Sequence, residues 1–215
     1  MLAEGKAGPR VLLPGAQVEV RLDNSAALVT VDGHQRYQEQ TYRQNMFSLT
    51  LAATSTGVAA GNIVAAAAAA STNFALFNPA SSGKLLVLQK FGMGIISGTP
   101  GAGPLFHGFI SNVPTATATG TIYNNYVTGA SGSVARSYAT AAGTTLTGGA
   151  APSVLRIANF SSTNTAQASV GELNAIEIID GDIIVPPGAG WLPLWGAAGT
   201  SLLNAYSISW EEIPV

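Results

Sequence analysis

The chain has 215 residues, of which 47 % are hydrophobic and only 9 % charged, with a formal net charge of −2 and no cysteine. That is enough apolar content for one substantial core and too little charge to keep free copies apart. It excludes a disulfide framework and thiolate metal sites, and offers no clustered basic face for nucleic acid.

Residues 1–45 stand apart. They hold ten of the twenty charged side chains, from Glu4 to Arg43. Val18, Val20 and Leu22 alternate with Gln17, Glu19, Arg21 and Asp23, which predicts a half-buried strand. A second short strand is expected over 28–31, ending at the Asp32-Gly33 turn signal. The segment 35–45 is polar and aromatic and fits either a helical turn or an extended stretch. Its few apolar residues cannot build a core alone, so residues 1–45 read as an N-terminal arm that docks on something else. Arg21, Arg36, Tyr37, Tyr42 and Arg43 are its candidate docking residues. The first six residues lack the apolar core of a signal peptide. Residues 51–70 match the length of a membrane span. They are mostly Ala, Gly, Ser and Thr, with Asn62 among them, too weakly apolar for insertion. No membrane partner and no visible export signal are read here.

Residues 46–215 read as a run of short strands. Phe47, Leu49 and Leu51 alternate with Ser48 and Thr50, and 73–77 is short and aromatic. A long apolar stretch over 85–97 is expected to break at Gly92 and Gly94, as at a bulge. Residues 98–104 read as a loop. Strands follow at 105–110, 122–127, 154–160, 175–179, 183–185, 191–195 and 202–210. In the last of these, Tyr206, Ile208 and Trp210 share one face, and Ala205, Ser207 and Ser209 the other. The spacing of turn residues predicts an all-β sandwich or barrel. The six alanines at 65–70 fit a helical turn or a flat packed strand equally. Residues 131–149 read as a long loop or as a small-residue surface where backbones approach closely.

The chemistry-bearing residues are sparse. No Asp or Glu occurs between Gln40 and Gly171. Over that span there is no carboxylate for general acid/base work or hard-cation binding, so no enzyme and no cofactor are expected. Ser82-Gly83-Lys84 fails the phosphate-loop pattern, because Asn78 and Leu85 stand where Gly and Ser or Thr are required; it reads as a turn with an exposed Lys. Gly129-Ala130-Ser131-Gly132-Ser133 departs from a nucleophile elbow at Ser133. His34 reads as solvated, and His107 sits beside Phe106 in a predicted strand, at no metal-ligand spacing from a carboxylate. Asp180-Gly181-Asp182 reads as a tight turn rather than a Ca²⁺ loop, and Glu211-Glu212 as a solvated strand end. Trp191, Trp195 and Trp210 are either core or interface fillers or an exposed glycan platform.

One pattern is more specific. Asn78-Pro79-Ala80-Ser81-Ser82-Gly83 opens an early strand, Pro186-Pro187-Gly188 precedes a late one, and Trp210-Glu211-Glu212-Ile213-Pro214 closes the chain. Over residues 73–215 this resembles a broad group of tailed-bacteriophage virion proteins. The resemblance implies a jelly-roll-like β-sandwich at 46–215 carrying the extended arm at 1–45. It further implies a homotrimer that docks on the major capsid protein or another virion protein. The expected role is capsid decoration, in a virion assembled in the host bacterial cytoplasm. The alternative is a tail or head fibre module that recognises a host surface glycan.

Overall fold

The computed structural model describes residues 37–51, 58–59, 74–99, 101, 103–110, 120–126, 132–139, 153–162, 175–197 and 200–215. The chain divides between Glu39 and Gln40, and the architecture below belongs to the second part. Nearly all of the expected arm, with Arg21, Arg36, His34 and both its strands, lies outside the described residues. So do the six alanines. Within 35–45 the structure selects the helical turn: Gln38–Tyr42 forms α1. Gln44, at φ 61°, ends it, and its N–H donates to the Thr41 carbonyl at 3.0 Å.

Among the described residues twelve strands follow: β1 Met46–Leu51, β2 Val58–Ala59, β3 Phe74–Phe77, β4 Lys84–Thr99, β5 Gly103–Ile110, β6 Ile122–Asn124, β7 Arg136–Ala139, β8 Ser153–Ser162, β9 Ala175–Ile178, β10 Ile184–Val185, β11 Gly190–Trp195 and β12 Thr200–Pro214. They form two antiparallel sheets, so the chain is the all-β sandwich that its strand spacing predicts. The larger has the order β10-β4-β12-β1-β6, with β2 beside β12 and β9 beside β4; the smaller runs β7-β3-β11-β5-β8. Phe47, Leu49, Phe91, Tyr206, Ile208 and Trp210 of the larger sheet meet Phe74, Leu76, Leu105, Trp191 and Trp195 of the smaller in one core. The rings interlock across it. Phe74 stacks on Tyr206 at 5.2 Å and meets Trp191 edge-on at 6.0 Å, and Phe91 meets Trp191 edge-on at 5.2 Å. Alternation explains this directly, since every second residue of β1 and β12 faces inward.

Several expectations need correction. β4 does not break at Gly92 and Gly94; it is one 16-residue strand whose glycines sit in regular register opposite Ser207 and Ala205. The register shifts fall at Ser209/Trp210 and around Leu203 instead. The loop read at 98–104 is shorter, because β4 runs to Thr99 and β5 begins at Gly103. Part of the small-residue segment 131–149 is strand: β7 pairs with β3, and Ser137 is buried. Small polar residues can fill a strand when the neighbouring sheet supplies the apolar packing.

The Asp180-Gly181 turn forms as expected, with both residues at positive φ (59° and 85°) and the Asp182 N–H bonded to the Ile179 carbonyl at 3.2 Å. Those angles suit Asp-Gly at the centre of a type I′ turn. It does not reverse the chain into a hairpin. β9 and β10 both pair antiparallel to β4, Ile178 opposite Lys90 and Ile184 opposite Val87, so the turn is an excursion within one interrupted edge strand.

Candidate functional site

Titratable side chains placed far apart in the sequence close on one another inside the sandwich. His107 on β5 has its ring fully buried, with Nε2 3.0 Å from Glu177 Oε2 on β9. Trp191 Nε1 donates to His107 Nδ1 at 3.1 Å. An indole N–H is only a donor, so Nδ1 is the acceptor and Nε2 carries the proton toward Glu177. Burial pushes the imidazole below its ordinary pKa, against the opposing pull of Glu177. Arg156 on β8 completes the group, with Nη1 3.0 Å from Glu177 Oε1 and Nε 3.4 Å from Asp182 Oδ2. Because β5 and β8 belong to one sheet and β9 to the other, the cluster ties the two sheets at their β8/β9 edge. The sequence placed His107 at no useful spacing from a carboxylate, and the partner it finds is 70 residues away.

A second tie centres on Glu212. It is fully buried, which corrects the expectation of a solvated strand end. One carboxylate oxygen accepts from Lys84 Nζ at 2.9 Å, and the other from Ser133 Oγ at 2.6 Å and the Val134 N–H at 3.0 Å. Lys84 is therefore a half-buried, paired residue at the start of β4 rather than the exposed turn lysine that the sequence suggested. Ser133, from the elbow-like segment, spends its hydroxyl on this carboxylate; Ser131 lies outside the described residues.

The three quoted motif pieces converge nearby. Asn78 Nδ2 donates to the Lys84 and Val185 carbonyls at 2.7 and 2.9 Å, and the Gly188 N–H donates to the Asn78 carbonyl at 2.8 Å. The Val215 N–H reaches the Gly83 carbonyl at 3.1 Å. Gly188 holds φ 85°, a left-handed conformation that glycine adopts without strain. The pattern is a structural lock joining the start of β4, the β10–β11 turn and the chain end.

The tryptophans settle as core. Trp191, Trp195 and Trp210 are 1 %, 0 % and 0 % exposed, so none presents a ring face to a sugar. Of the candidate docking residues, Arg43 is exposed and Tyr37 half-buried, while the Tyr42 side chain is outside the described set. Among the described residues, no three His, Asp or Glu side chains group closely enough to hold a metal ion, and no helix is long and apolar enough to cross a membrane.

What lies open is the outer face of the larger sheet. Its register sets Ile176, Gly92, Ser207 and Thr50 in one row across β9, β4, β12 and β1. The next row is Ile178, Lys90, Ser209, Ser48 and Tyr123, ending on β6. On the edge strand, Glu177 turns inward to His107, while Ile176 and Ile178 point outward at 78 % and 62 % exposure. That inverts the ordinary apolar-in, polar-out pattern of a solvated strand. Ile176 also lines a trough of about 270 Å³ floored by Gly92, Gly94, Ala205 and Ser207, and Ile184 farther along the same edge is 51 % exposed. Neither half of this was legible as a site, because β9 reads as an ordinary strand until its partner strand is known. Comparison with protein-family models, with curated proteins and with solved structures finds no match to this chain.

Proposed function

We propose that this chain is a non-enzymatic structural protein of a tailed-bacteriophage virion, serving as a capsid decoration protein that clamps neighbouring capsid subunits. The observation that carries the reading is the disposition of charge. His107, Glu177, Arg156, Lys84 and Glu212 are engaged in ties within the sandwich, while the open face of the larger sheet sets outward isoleucines beside small residues. Such a layout favours burial of surface against other subunits over turnover of a substrate. The motif resemblance supplies the virion context, and the charge-rich residues 1–45 supply the docking arm. The fibre alternative would have to recognise a glycan without the rings of the three tryptophans, which are buried.

Removing residues 1–45 is expected to abolish binding to purified capsids stripped of this protein, while the remaining chain keeps its β-type circular dichroism and a cooperative melt. Cosedimentation with capsids measures it. Undiminished binding by the folded, shortened chain would sink the docking role of the arm.

A further inference from the structure

We infer that His107 makes the joint between the two sheets acid-sensitive: the joint is closed only while the ring is neutral, and a second proton parts it from Trp191 and lets water in at the β8/β9 edge. The inference is independent of the virion reading and concerns how the fold answers a fall in pH. It stands on the hydrogen-bond geometry of one buried ring.

Both ring nitrogens are already spent. Nδ1 accepts from Trp191 Nε1 at 3.1 Å, and Nε2 lies 3.0 Å from Glu177 Oε2. The indole N–H can only donate, so the ring is neutral and its single proton sits on Nε2. A second proton has one place to go, Nδ1, where the Trp191 N–H already points. Two donors would then face each other around a ring with no exposed surface. The ring must turn or the indole must lose its acceptor, and a buried donor left without a partner is costly.

Glu177 does not offset that cost in place. Its other carboxylate oxygen is bound to Arg156 Nη1 at 3.0 Å, so the buried pair is neutral before the proton arrives, and the proton adds net positive charge. Asp182 in the turn after β9 would attract the proton, but it is 70 % exposed and screened by water. β11 and β4 face the ring with Trp191 and Phe91, which carry no charge. Lys90 on β4 is in register with outward-pointing Ile178, on the other face of the sheet. The route by which a charged ring reaches water therefore runs past Arg156, 36 % exposed, and Asp182, where β8 meets β9.

The direction with pH follows. Burial outweighs the carboxylates and holds His107 below its ordinary value of 6.5. A folded-state value below the unfolded one means that the unfolded chain takes up the proton first. Stability from the neutral ring is complete above about pH 6.5 and is lost as pH falls through the folded value.

The test is nuclear magnetic resonance on the full, nitrogen-labelled chain between about pH 8 and pH 5, the span in which a histidine titrates. The sequence holds two His and three Trp, so the ring signals are few, and the indole signal missing from Trp191→Phe is that of Trp191. Trp195 and Trp210 are equally buried and serve as references in the same sample. At the upper end His107 is expected as the neutral ring with its proton on Nε2. Towards the lower end, exchange of the Trp191 indole N–H is expected to rise at least about tenfold relative to the two references, the factor that one pKa unit supplies. A second arm follows melting of the wild type and of His107→Gln, which cannot take the proton; the wild type is expected to lose more melting temperature over the same fall in pH. Trp191 protection that persists to the lower limit overturns the inference, as does a doubly protonated ring beside a protected Trp191. Equal loss of protection by all three indoles at one pH overturns it too, because that is global unfolding. Equal pH dependence of melting in a folded His107→Gln does the same. If that variant does not fold, the wild-type exchange decides alone.

Discussion

Trp191→Ala is expected to cost about 4 kcal/mol, the usual toll for emptying a fully buried indole from a core that cannot collapse around the void. Trp191 sits on β11, the middle strand of the smaller sheet, and touches Phe74 and Phe91 edge-on. It also donates to His107 Nδ1, so the alanine variant leaves a buried acceptor without its partner. That adds roughly 1 kcal/mol or more. Against a total stability on the order of 5–15 kcal/mol, the variant is near the limit of folding. Trp191→Phe separates the two contributions: it restores most of the volume, lacks the N–H, and is expected to cost about 2 kcal/mol. Urea denaturation of the two variants measures both. A loss below about 1 kcal/mol for the alanine variant would mean that the inter-sheet core is not centred on this ring.

Glu212→Ala should rank second, at about 3 kcal/mol. The loss is uneven among its partners. Lys84 is 30 % exposed and can turn to water once the carboxylate is gone, so it adds little to the cost of this variant. Ser133 Oγ, the Val134 N–H and, at 3.5 Å, Trp210 Nε1 are held against the carboxylate by the fold, and they are the donors left unsatisfied. Two outcomes follow. Lys84→Met carries a cost of its own, because it leaves the fully buried Glu212 carboxylate without its cation, and amide exchange at Val134 accelerates in the glutamate variant more than in the lysine variant. Equal acceleration at Val134 in the two variants would mean that the backbone donor is held by the ion pair as a whole instead.

These sites show how far the sequence could be read. Local alternation was sufficient for β1 and for the two faces of β12, because period-two burial is written in neighbouring residues. The turn at Asp180-Gly181 was legible for the same reason: its requirement for positive φ is local. Partner choice was not legible. Glu212 reads as a solvated end until Lys84 and Ser133 arrive from 128 and 79 residues away. His107 looks isolated until Glu177 and Trp191 close on it. Gly92 and Gly94 signal a break in isolation, yet in the sheet they lower a floor. β7 escaped notice because Arg136-Ser137-Tyr138-Ala139 has the composition of the loop around it. The motif Asn78-Pro79 through Trp210-Glu211-Glu212 could be quoted as a pattern, but its physical meaning as one lock appears only when its three pieces are seen bonded together.

The inverted edge strand bears most on function. A strand that turns Glu177 inward and Ile176 and Ile178 outward gives up favourable hydration of its exposed side unless something covers it. In a decoration protein that cover is available, because copies are concentrated on a lattice.

The central claim is that this chain is a lattice-covering part of a virion, and its copy number per purified particle tests that most directly. Quantitative mass spectrometry against the major capsid protein should give a ratio of the same order as the capsid protein itself. A ratio of a few per cent or less would contradict the account and place the chain at a tail, vertex or fibre.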